Sequence, residues 1–175
     1  MDSQAMLAGF VATAKNFIPL LSGSAAALFG LWLVQSAVVK MVKMGDASNG
    51  ERHTWGQIGG TMFIGALMLQ FSSTMQDVSL LMFGSGIQDY HAALAYMPAP
   101  QSNPTYWNKV IEACLIWVVM LGWAAALRGF AQWSKAANGS GGGQEGDFFW
   151  KGVWHIFGGA ACINIAGAIQ SFLGK

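Results

Sequence analysis

The sequence predicts an all-α integral membrane protein, with four hydrophobic helices arranged as two tandem hairpins and an amphipathic helix at the N-terminus. Of its 175 residues, 54% are hydrophobic and only 10% are charged, whereas soluble domains carry about 25% charged residues. Four separate stretches approach the roughly 20 apolar residues that are needed to cross a bilayer. The 23 glycines and 8 tryptophans also fit, because glycine lets helices approach closely and tryptophan favours membrane interfaces.

The N-terminal part of the chain carries the amphipathic helix and the first span. Residues 3–14 place their apolar side chains on one face at helical spacing, which predicts a short helix that lies at the interface or leads into the first span. The first span runs over about 17–39. Pro19 is expected near its beginning, where the missing N–H group is tolerated.

A basic, polar loop with a turn signal leads to the second span, which is predicted at about 55–75. Residues 77–109 alternate half-apolar pieces with glycine and proline. They predict an extracytoplasmic connecting segment of short helices and loops. The chain is therefore expected to have three parts, 1–76, 77–109 and 110–175.

The last part is expected to hold the second hairpin. Asn103 and Pro104 are a good helix start, because asparagine caps free N–H groups and proline suits the first turn. The third span is predicted over about 110–127, the glycine-rich stretch 137–143 is flexible by composition, and the fourth span covers about 149–173.

Six basic side chains lie in or beside the loops that close the two hairpins, while the middle segment has only Lys109. Because cytoplasmic loops are enriched in Lys and Arg, both loops are predicted in the cytoplasm, with both termini and the middle segment outside. These side chains either only set the topology or also meet lipid headgroups or a lumen. They are Lys40, Lys43, Arg52, Arg128, Lys135 and Lys151.

The second and fourth spans align without a gap, with Gly65 over Gly159 and Gln70 over Asn164, an offset of 94 residues. The first and third spans match more weakly, with Lys40 over Arg128. The alignment predicts one hairpin used twice in the same orientation. Chance similarity between Gly- and Ala-rich stretches is the alternative.

Two kinds of residue are predicted to hold the helices together. Gln70 and Asn164 are amides within apolar spans, so we expect them to be buried and hydrogen-bonded across helices. Small residues spaced by four allow close helix packing, either within the chain or between subunits. The predicted packing residues are Gly56, Gly60, Gly65, Gly158, Gly159, Gln70 and Asn164.

No grouping of residues predicts catalysis. The three histidines lack neighbouring ligands at metal-site spacing, and the two cysteines are expected to be free thiols. Glu112 lies inside a predicted span, and we expect it to pair with Lys109 rather than to form an ion site. An alternative function is a small transporter or channel, with a path lined by Glu112, Gln35, Gln70, Asn164 and His155.

The paired hairpins, with Gly65-Ala66 before Gln70 and Gly158-Gly159-Ala160 before Asn164, resemble small conjugal-transfer membrane proteins. These are the polytopic proteins of I-type plasmids and of the related Dot/Icm type IVB secretion systems (TraQ and IcmC/DotE type). The resemblance implies a non-enzymatic structural subunit of a DNA- or protein-transfer apparatus in the bacterial inner membrane. It also implies partners among lipids, further copies of the chain and other subunits, without sequence-specific nucleic-acid binding.

A looser similarity links the two basic-looped hairpins to conjugative pilins of the F and VirB types. In those proteins a short basic loop faces the filament lumen beside phospholipid headgroups. This similarity implies an extracellular filament, and a bound phospholipid as the only cofactor. The chain differs from those pilins in its double length, its outer middle segment and its lack of a clear leader.

Overall fold

A computed structural model describes residues 3–45, 54–96, 104–139 and 145–173, which are almost entirely helical and contain no strand. One π-helical turn, Leu20–Ala25, follows the first helix. Within these ranges the chain forms α1 (Ser3–Pro19), α2 (Ala26–Gly45), α3 (Trp55–Leu69), α4 (Phe71–Phe83), α5 (His91–Leu94), α6 (Pro104–Ala137), α7 (Glu145–Ile163) and α8 (Ile165–Leu173).

The N-terminal helix and the first predicted span form one continuous helix. With the π-helical turn, α1 and α2 make a helix of 41 residues from Ala5 to Gly45. Pro19 therefore lies well inside this helix, and the prediction that it stands near a helix start is wrong. A π-helical turn begins directly after it, at Leu20.

The second and fourth predicted spans are each broken. The axis bends by 90° between α3 and α4, at Gln70, and by 88° between α7 and α8, just past Ile163, at Asn164. These are the two residues that the sequence alignment places over each other. Where the sequence predicted continuous spans over 55–75 and 149–173, the structure therefore has two bent helix pairs.

In the first helix pair, α2 and α3 cross closely at glycines. A Cβ atom built on Gly65 would lie 3.1 Å from the backbone nitrogen of Val34 and 3.2 Å from the carbonyl oxygen of Gly30. One built on Gly30 would lie 2.8 Å from the nitrogen of Leu69 and 2.9 Å from the oxygen of Gly65. The two backbones are thus in contact, and the helices run antiparallel.

The second helix pair, α6 and α7, crosses in the same way. A Cβ atom on Gly159 would lie 2.9 Å from the nitrogen of Ala126 and 2.7 Å from the oxygen of Gly122. One on Gly122 would lie 2.9 Å from both the nitrogen of Ile163 and the oxygen of Gly159. The backbone nitrogen and oxygen atoms at this crossing occupy the same relative positions as those at the crossing of α2 and α3.

The crossings fix which residues of the two pairs correspond. Gly65 corresponds to Gly159, which keeps the offset of 94 residues for α3 and α7. Gly30 corresponds to Gly122, an offset of 92 residues for α2 and α6. The sequence alignment of Lys40 over Arg128 is therefore out of register by four residues, because no packing position constrained it.

The third predicted span is part of a longer helix. α6 begins at Pro104, as the Asn-Pro signal predicts, although Asn103 itself is outside the described residues. The helix continues to Ala137, ten residues past the predicted end, because Arg, Gln and Lys favour helices as much as apolar residues do. The predicted part boundaries at 76/77 and 109/110 fall inside α4 and α6.

The two helix pairs pack side by side around aromatic residues. The ring of Phe71 meets the rings of Trp123 and Phe130 edge-on, with centroids 5.5 and 5.6 Å away. A Cβ atom on Gly60, near the start of α3, would lie 3.1 Å from Cβ of Ala137 at the end of α6. The start of α3 and the end of α6 are therefore at the same end of the molecule.

Two of these helices are long and apolar enough to cross a membrane, Ala5–Gly45 and Thr105–Ala137. The number rises to four if each bent pair counts as a single span. By length and composition, the described part of the chain is compatible with a membrane location.

Candidate functional site

A polar cluster occupies the end of the molecule where α2, α3 and α6 meet. Lys40 Nζ donates a hydrogen bond to Asn138 Oδ1, which also accepts one from Thr61 Oγ1 at 2.8 Å. Asn138 Nδ2 in turn donates to Ser134 Oγ at 3.4 Å. Thr61 and Ser134 are buried. Lys40 is thus directed to a protein partner, whereas the sequence predicted that it faces lipid or a lumen.

The other predicted basic residues of α2 and α6 are in helices rather than loops. Lys43 is exposed on α2, and Arg128 and Lys135 are exposed on α6. Arg128 lies nine residues before the end of its helix, so the predicted loop position is wrong for it. Arg52 lies outside the described residues. Contact of these cations with lipid or a lumen remains a prediction.

Lys151 lies on α7 and has a partner there. Its Nζ atom is 2.5 Å from Asp147 Oδ2, four residues earlier on the same helix, and both side chains are about half exposed. The Nδ1 atom of His155 is 2.6 Å from the carbonyl oxygen of Lys151. This part of α7 therefore carries a local surface network, whose ion pair stabilises a helix by only about 0.3–0.5 kcal/mol.

Asn164 is fully buried at the bend between α7 and α8. Its Nδ2 atom donates to Ser79 Oγ at 2.7 Å and to the oxygen of Gly86 at 3.1 Å. Its Oδ1 atom accepts from the backbone nitrogens of Gln88 and Gly167, both at 3.2 Å. The amide thus joins the bend to α4 and to the turn that follows α4, which confirms the prediction of a buried amide bonded across helices.

Gln70 occupies the corresponding bend and is exposed. The prediction that it is buried is therefore wrong. At this bend the backbone is supported by Thr74 instead, whose Oγ1 atom lies 3.2 Å from the oxygen of Leu67 and 3.0 Å from that of Gln70. A hydroxyl group here partners a carbonyl that the bend leaves without its helical hydrogen bond.

Glu112 forms an ion pair with a different lysine from the predicted one. Its Oε1 atom is 3.0 Å from Lys15 Nζ on α1 and 3.7 Å from His91 Nε2 on α5. Lys15 also lies over the ring of Tyr90, 5.7 Å from its centroid. Lys109, the predicted partner, instead helps to line a cavity of about 310 Å³ beside this group.

The predicted packing glycines fall into two sets. Gly65 and Gly159 form the two crossings, and Gly60 packs against α6. A Cβ atom on Gly56 or Gly158 would meet nothing within 4 Å. The last two residues therefore do not pack within the chain.

Further contact glycines lie in the second helix pair. A Cβ atom on Gly129 would lie 2.8 Å from the oxygen of Gly152, and the reverse distance is also 2.8 Å. Gly122 and Gly129 are seven residues apart, as are Gly152 and Gly159. Glycines two turns apart share one face of a helix. The seven-residue spacing could therefore have identified these contact glycines from the sequence.

An apolar cavity of about 580 Å³ opens between the two helix pairs near the polar cluster. The indole of Trp133 stacks on Phe149 with 9° between the rings and donates to the oxygen of Phe149 at 3.0 Å. The cavity is lined by Gly60, Phe63, Ile64, Trp133, Ala137 and Phe149.

The residues of the suggested transport path do not come together. Glu112 bonds to α1 and α5, Asn164 to α4 and its turn, and His155 to its own helix. Gln35 and Gln70 are exposed. In the part of the chain that the structure describes, no group of His, Cys, Asp and Glu could hold a metal ion.

Comparisons with protein-family models, with curated proteins and with solved structures found no match for this chain. The class that the fold defines is an all-helical protein with helices able to cross a membrane.

Proposed function

We propose that the protein is a non-enzymatic structural subunit of a bacterial conjugation or type IV secretion apparatus. In this proposal the two bent pairs and the two long helices are four spans of the inner membrane, arranged as two tandem hairpins. The observation that carries the structural role is the glycine crossing, which recurs with corresponding atoms at Gly30–Gly65 and Gly122–Gly159. A duplicated, tightly packed unit is typical of a building block.

The polar side chains support a structural role, because their contacts tie helices together. Asn164 joins the α7–α8 bend to α4, Lys40 and Thr61 meet at Asn138, and Glu112 links α6 to α1. Groups engaged in this way are less available to bind and convert a substrate.

The outer surface supports assembly in a membrane. Large apolar side chains such as Trp32, Leu81 and Phe172 are exposed. A soluble monomer rarely exposes so many, and such surfaces are covered by lipid or by other protein. The choice of apparatus and partners follows the resemblance to the small conjugal-transfer proteins. Because of the similarity to pilins, the proposal also includes a filament and a bound phospholipid.

Deleting the gene from a bacterium that carries the transfer system tests the proposal. We expect DNA or protein transfer to fall to background and to return when the gene is supplied on a plasmid. Membrane fractions should contain the protein in a large complex with other transfer subunits. A protein that is strictly monomeric, with normal transfer after deletion, would contradict the proposal.

A small transporter or channel is the second candidate, and one observation favours it. Glu112, Lys15 and Lys109 line the cavity beside α1, and His91 Nε2 lies 3.7 Å from Glu112 Oε1. Solute flux into proteoliposomes distinguishes the two functions. Flux that is lost in Glu112→Gln would support transport, while unchanged permeability of the vesicles would leave the structural role.

A further inference from the structure

The two helix pairs meet where one face of α3, together with Phe71 at the start of α4, packs against one face of α6. Phe71 packs between Trp123 and Phe130, and Gly60 lies against Ala137. Phe63 and Ile64 line the cavity beside them, facing Trp133. This internal interface therefore joins α3, the second helix of the first pair, to α6, the first helix of the second pair.

The repeat places an equivalent of each face on the other helix pair. With the offset of 94 residues, the α3 residues Gly60, Phe63 and Ile64 correspond to Trp154, Phe157 and Gly158 of α7. With the offset of 92 residues, the α6 residues Trp123, Phe130 and Ala137 correspond to Leu31, Val38 and Gly45 of α2. We name these the α7 face (Trp154, Phe157, Gly158) and the α2 face (Leu31, Val38, Gly45).

Neither face is covered within the chain. Trp154 is 74% exposed and Phe157 42%, while Leu31 is 58% and Val38 45% exposed. A Cβ atom on Gly158 or Gly45 would meet nothing within 4 Å. The counterpart of Phe71, Ile165, packs inside the chain. The other counterparts leave, on each side, an uncovered part of an interface that the chain forms once internally.

We propose that copies of this chain assemble head to tail, with the α7 face of one copy docked on the α2 face of the next. The proposal rests on the proposed function as a structural subunit and specifies its partner, a second copy, and the surfaces involved. The contact pairs two different faces, so it generates a closed ring or an open row rather than a two-fold dimer.

The side chains of the two faces are complementary in size. Inside the chain, the small residues Gly60 and Ala137 lie opposite each other. At the equivalent place between copies, the large Trp154 stands opposite Gly45, which carries no side chain. Helices associate in lipid through close packing rather than through the hydrophobic effect, so this fit is what distinguishes a copy from lipid as the occupant.

Disulfide formation in native membranes tests the proposed contact. In a Cys114→Ala, Cys162→Ala background, the pair Gly60→Cys and Ala137→Cys is the internal control. The Cβ atoms at these positions are 3.1 Å apart, close to the roughly 3.5–4.5 Å of a disulfide. We expect this control to close within the chain, and Gly45→Cys with Trp154→Cys to close between chains.

The pattern of crosslinks identifies the geometry. The double variant Gly45→Cys, Trp154→Cys should give a ladder of multimers, whereas two chains that each carry one of these cysteines should give dimers only. Leu81→Cys with Gly45→Cys is the control. Leu81 is 86% exposed, more than Trp154, but lies outside both faces, so this pair should give no ladder.

Three results would overturn the proposal. One is a closed internal control without any crosslink between Gly45→Cys and Trp154→Cys. Another is self-crosslinking of either single-cysteine chain, which indicates a two-fold contact. The third is an unchanged complex size in native gels for Phe157→Ala, which we expect to weaken the contact while leaving the fold intact.

The outcome is separable from that of the gene deletion. Normal crosslinking with normal transfer after deletion would remove the transfer role and keep the assembly. Absent crosslinking with lost transfer would remove the head-to-tail contact and keep the transfer role.

Discussion

At the scale of single residues, Asn164 and Gln70 show how two equivalent positions in a repeat take different roles. Both lie at bends of about a right angle, but Asn164 is buried in a set of hydrogen bonds and Gln70 is exposed. In the second bend the side-chain amide replaces missing backbone contacts, whereas in the first bend the hydroxyl of Thr74 does so. Both repeats therefore share the bend, but different side chains supply its hydrogen bonds.

This difference predicts unequal effects of alanine at the two bends. Asn164→Ala leaves Ser79 and the backbone groups of Gly86 and Gln88 without their partner, so it should lower the free energy of unfolding by about 1–3 kcal/mol. Gln70→Ala should change it by about 0.5 kcal/mol or less. Unfolding by SDS in detergent micelles measures both. Equal losses would contradict the assigned role of Asn164.

The Lys15–Glu112 pair should contribute little to stability. The side chain of Lys15 is 44% exposed and that of Glu112 20%, and exposed pairs contribute about 0.2–1 kcal/mol. A double-mutant cycle with Lys15→Met and Glu112→Gln measures the coupling, which should decrease as salt is added. A coupling of about 3 kcal/mol or more is typical of a buried pair and would show that water is excluded there.

At the scale of elements, the two crossings decide how closely the helices of each pair approach. Gly158 and Gly159 are neighbours in sequence, yet only Gly159 faces the partner helix. The distances of 2.7 and 2.9 Å are to backbone atoms of α6, which cannot rotate away. Any side chain at Gly159 must therefore push the helices apart.

Alanine at these neighbouring glycines should have different effects on stability. Gly159→Ala should destabilise the protein by about 1–3 kcal/mol through overpacking. Gly158→Ala should be neutral or should stabilise it by up to about 1 kcal/mol, because alanine favours helices and meets open space. The same SDS unfolding assay compares them. A loss in Gly158→Ala as large as that in Gly159→Ala would contradict the crossing geometry.

The helices themselves were predictable from the sequence, but their bends were not. The apolar stretches located the helical regions of the four predicted spans, and Asn103-Pro104 gave the start of α6. The bend at Asn164 depends on partners 76 to 85 residues away in sequence, which no local pattern contains. The end of α6 was missed because hydrophobicity defines a membrane span, whereas helix propensity continues through Arg128 and Lys135.

The candidate site was predictable to a similar degree. The repeat aligned Gly65 with Gly159, and both form a helix crossing. Asn164 was identified as an amide within an apolar span, but the same reasoning was wrong for Gln70, which is exposed. The partners of Lys40 and Glu112 were not predictable. Both pairs join helices distant in sequence, and a basic or acidic residue near a span end carries no information about which helix lies beside it.

At the scale of the whole molecule, both helix pairs have the same orientation. Lys40 of α2 and Thr61 of α3 meet Asn138, which follows α6 directly. The ends of α2 and α6 and the start of α3 therefore share one end of the molecule. The turn after α4 and the short helix α5 belong to the opposite end, beside Asn164 and Glu112.

If the protein crosses the membrane in this orientation, labelling of introduced cysteines should follow the two ends. In a background without Cys114 and Cys162, Lys43→Cys and Lys135→Cys should react with a membrane-impermeant maleimide from the same side. Asp89→Cys should react only from the other side. Spheroplasts and inverted vesicles provide the two sides. Reaction of Lys43→Cys and Lys135→Cys from opposite sides would contradict the parallel arrangement.

The returning path of each helix pair has a consequence for how such a chain can change in evolution. Gly30 of α2 lies next to Leu69 at the end of α3, just as Gly122 of α6 lies next to Ile163 at the end of α7. A unit whose entry and exit share one end can be duplicated or lost without inverting anything that follows it. Genes with one, two or three units would encode chains with the same sidedness, so copy number in this architecture is free to vary by simple tandem duplication.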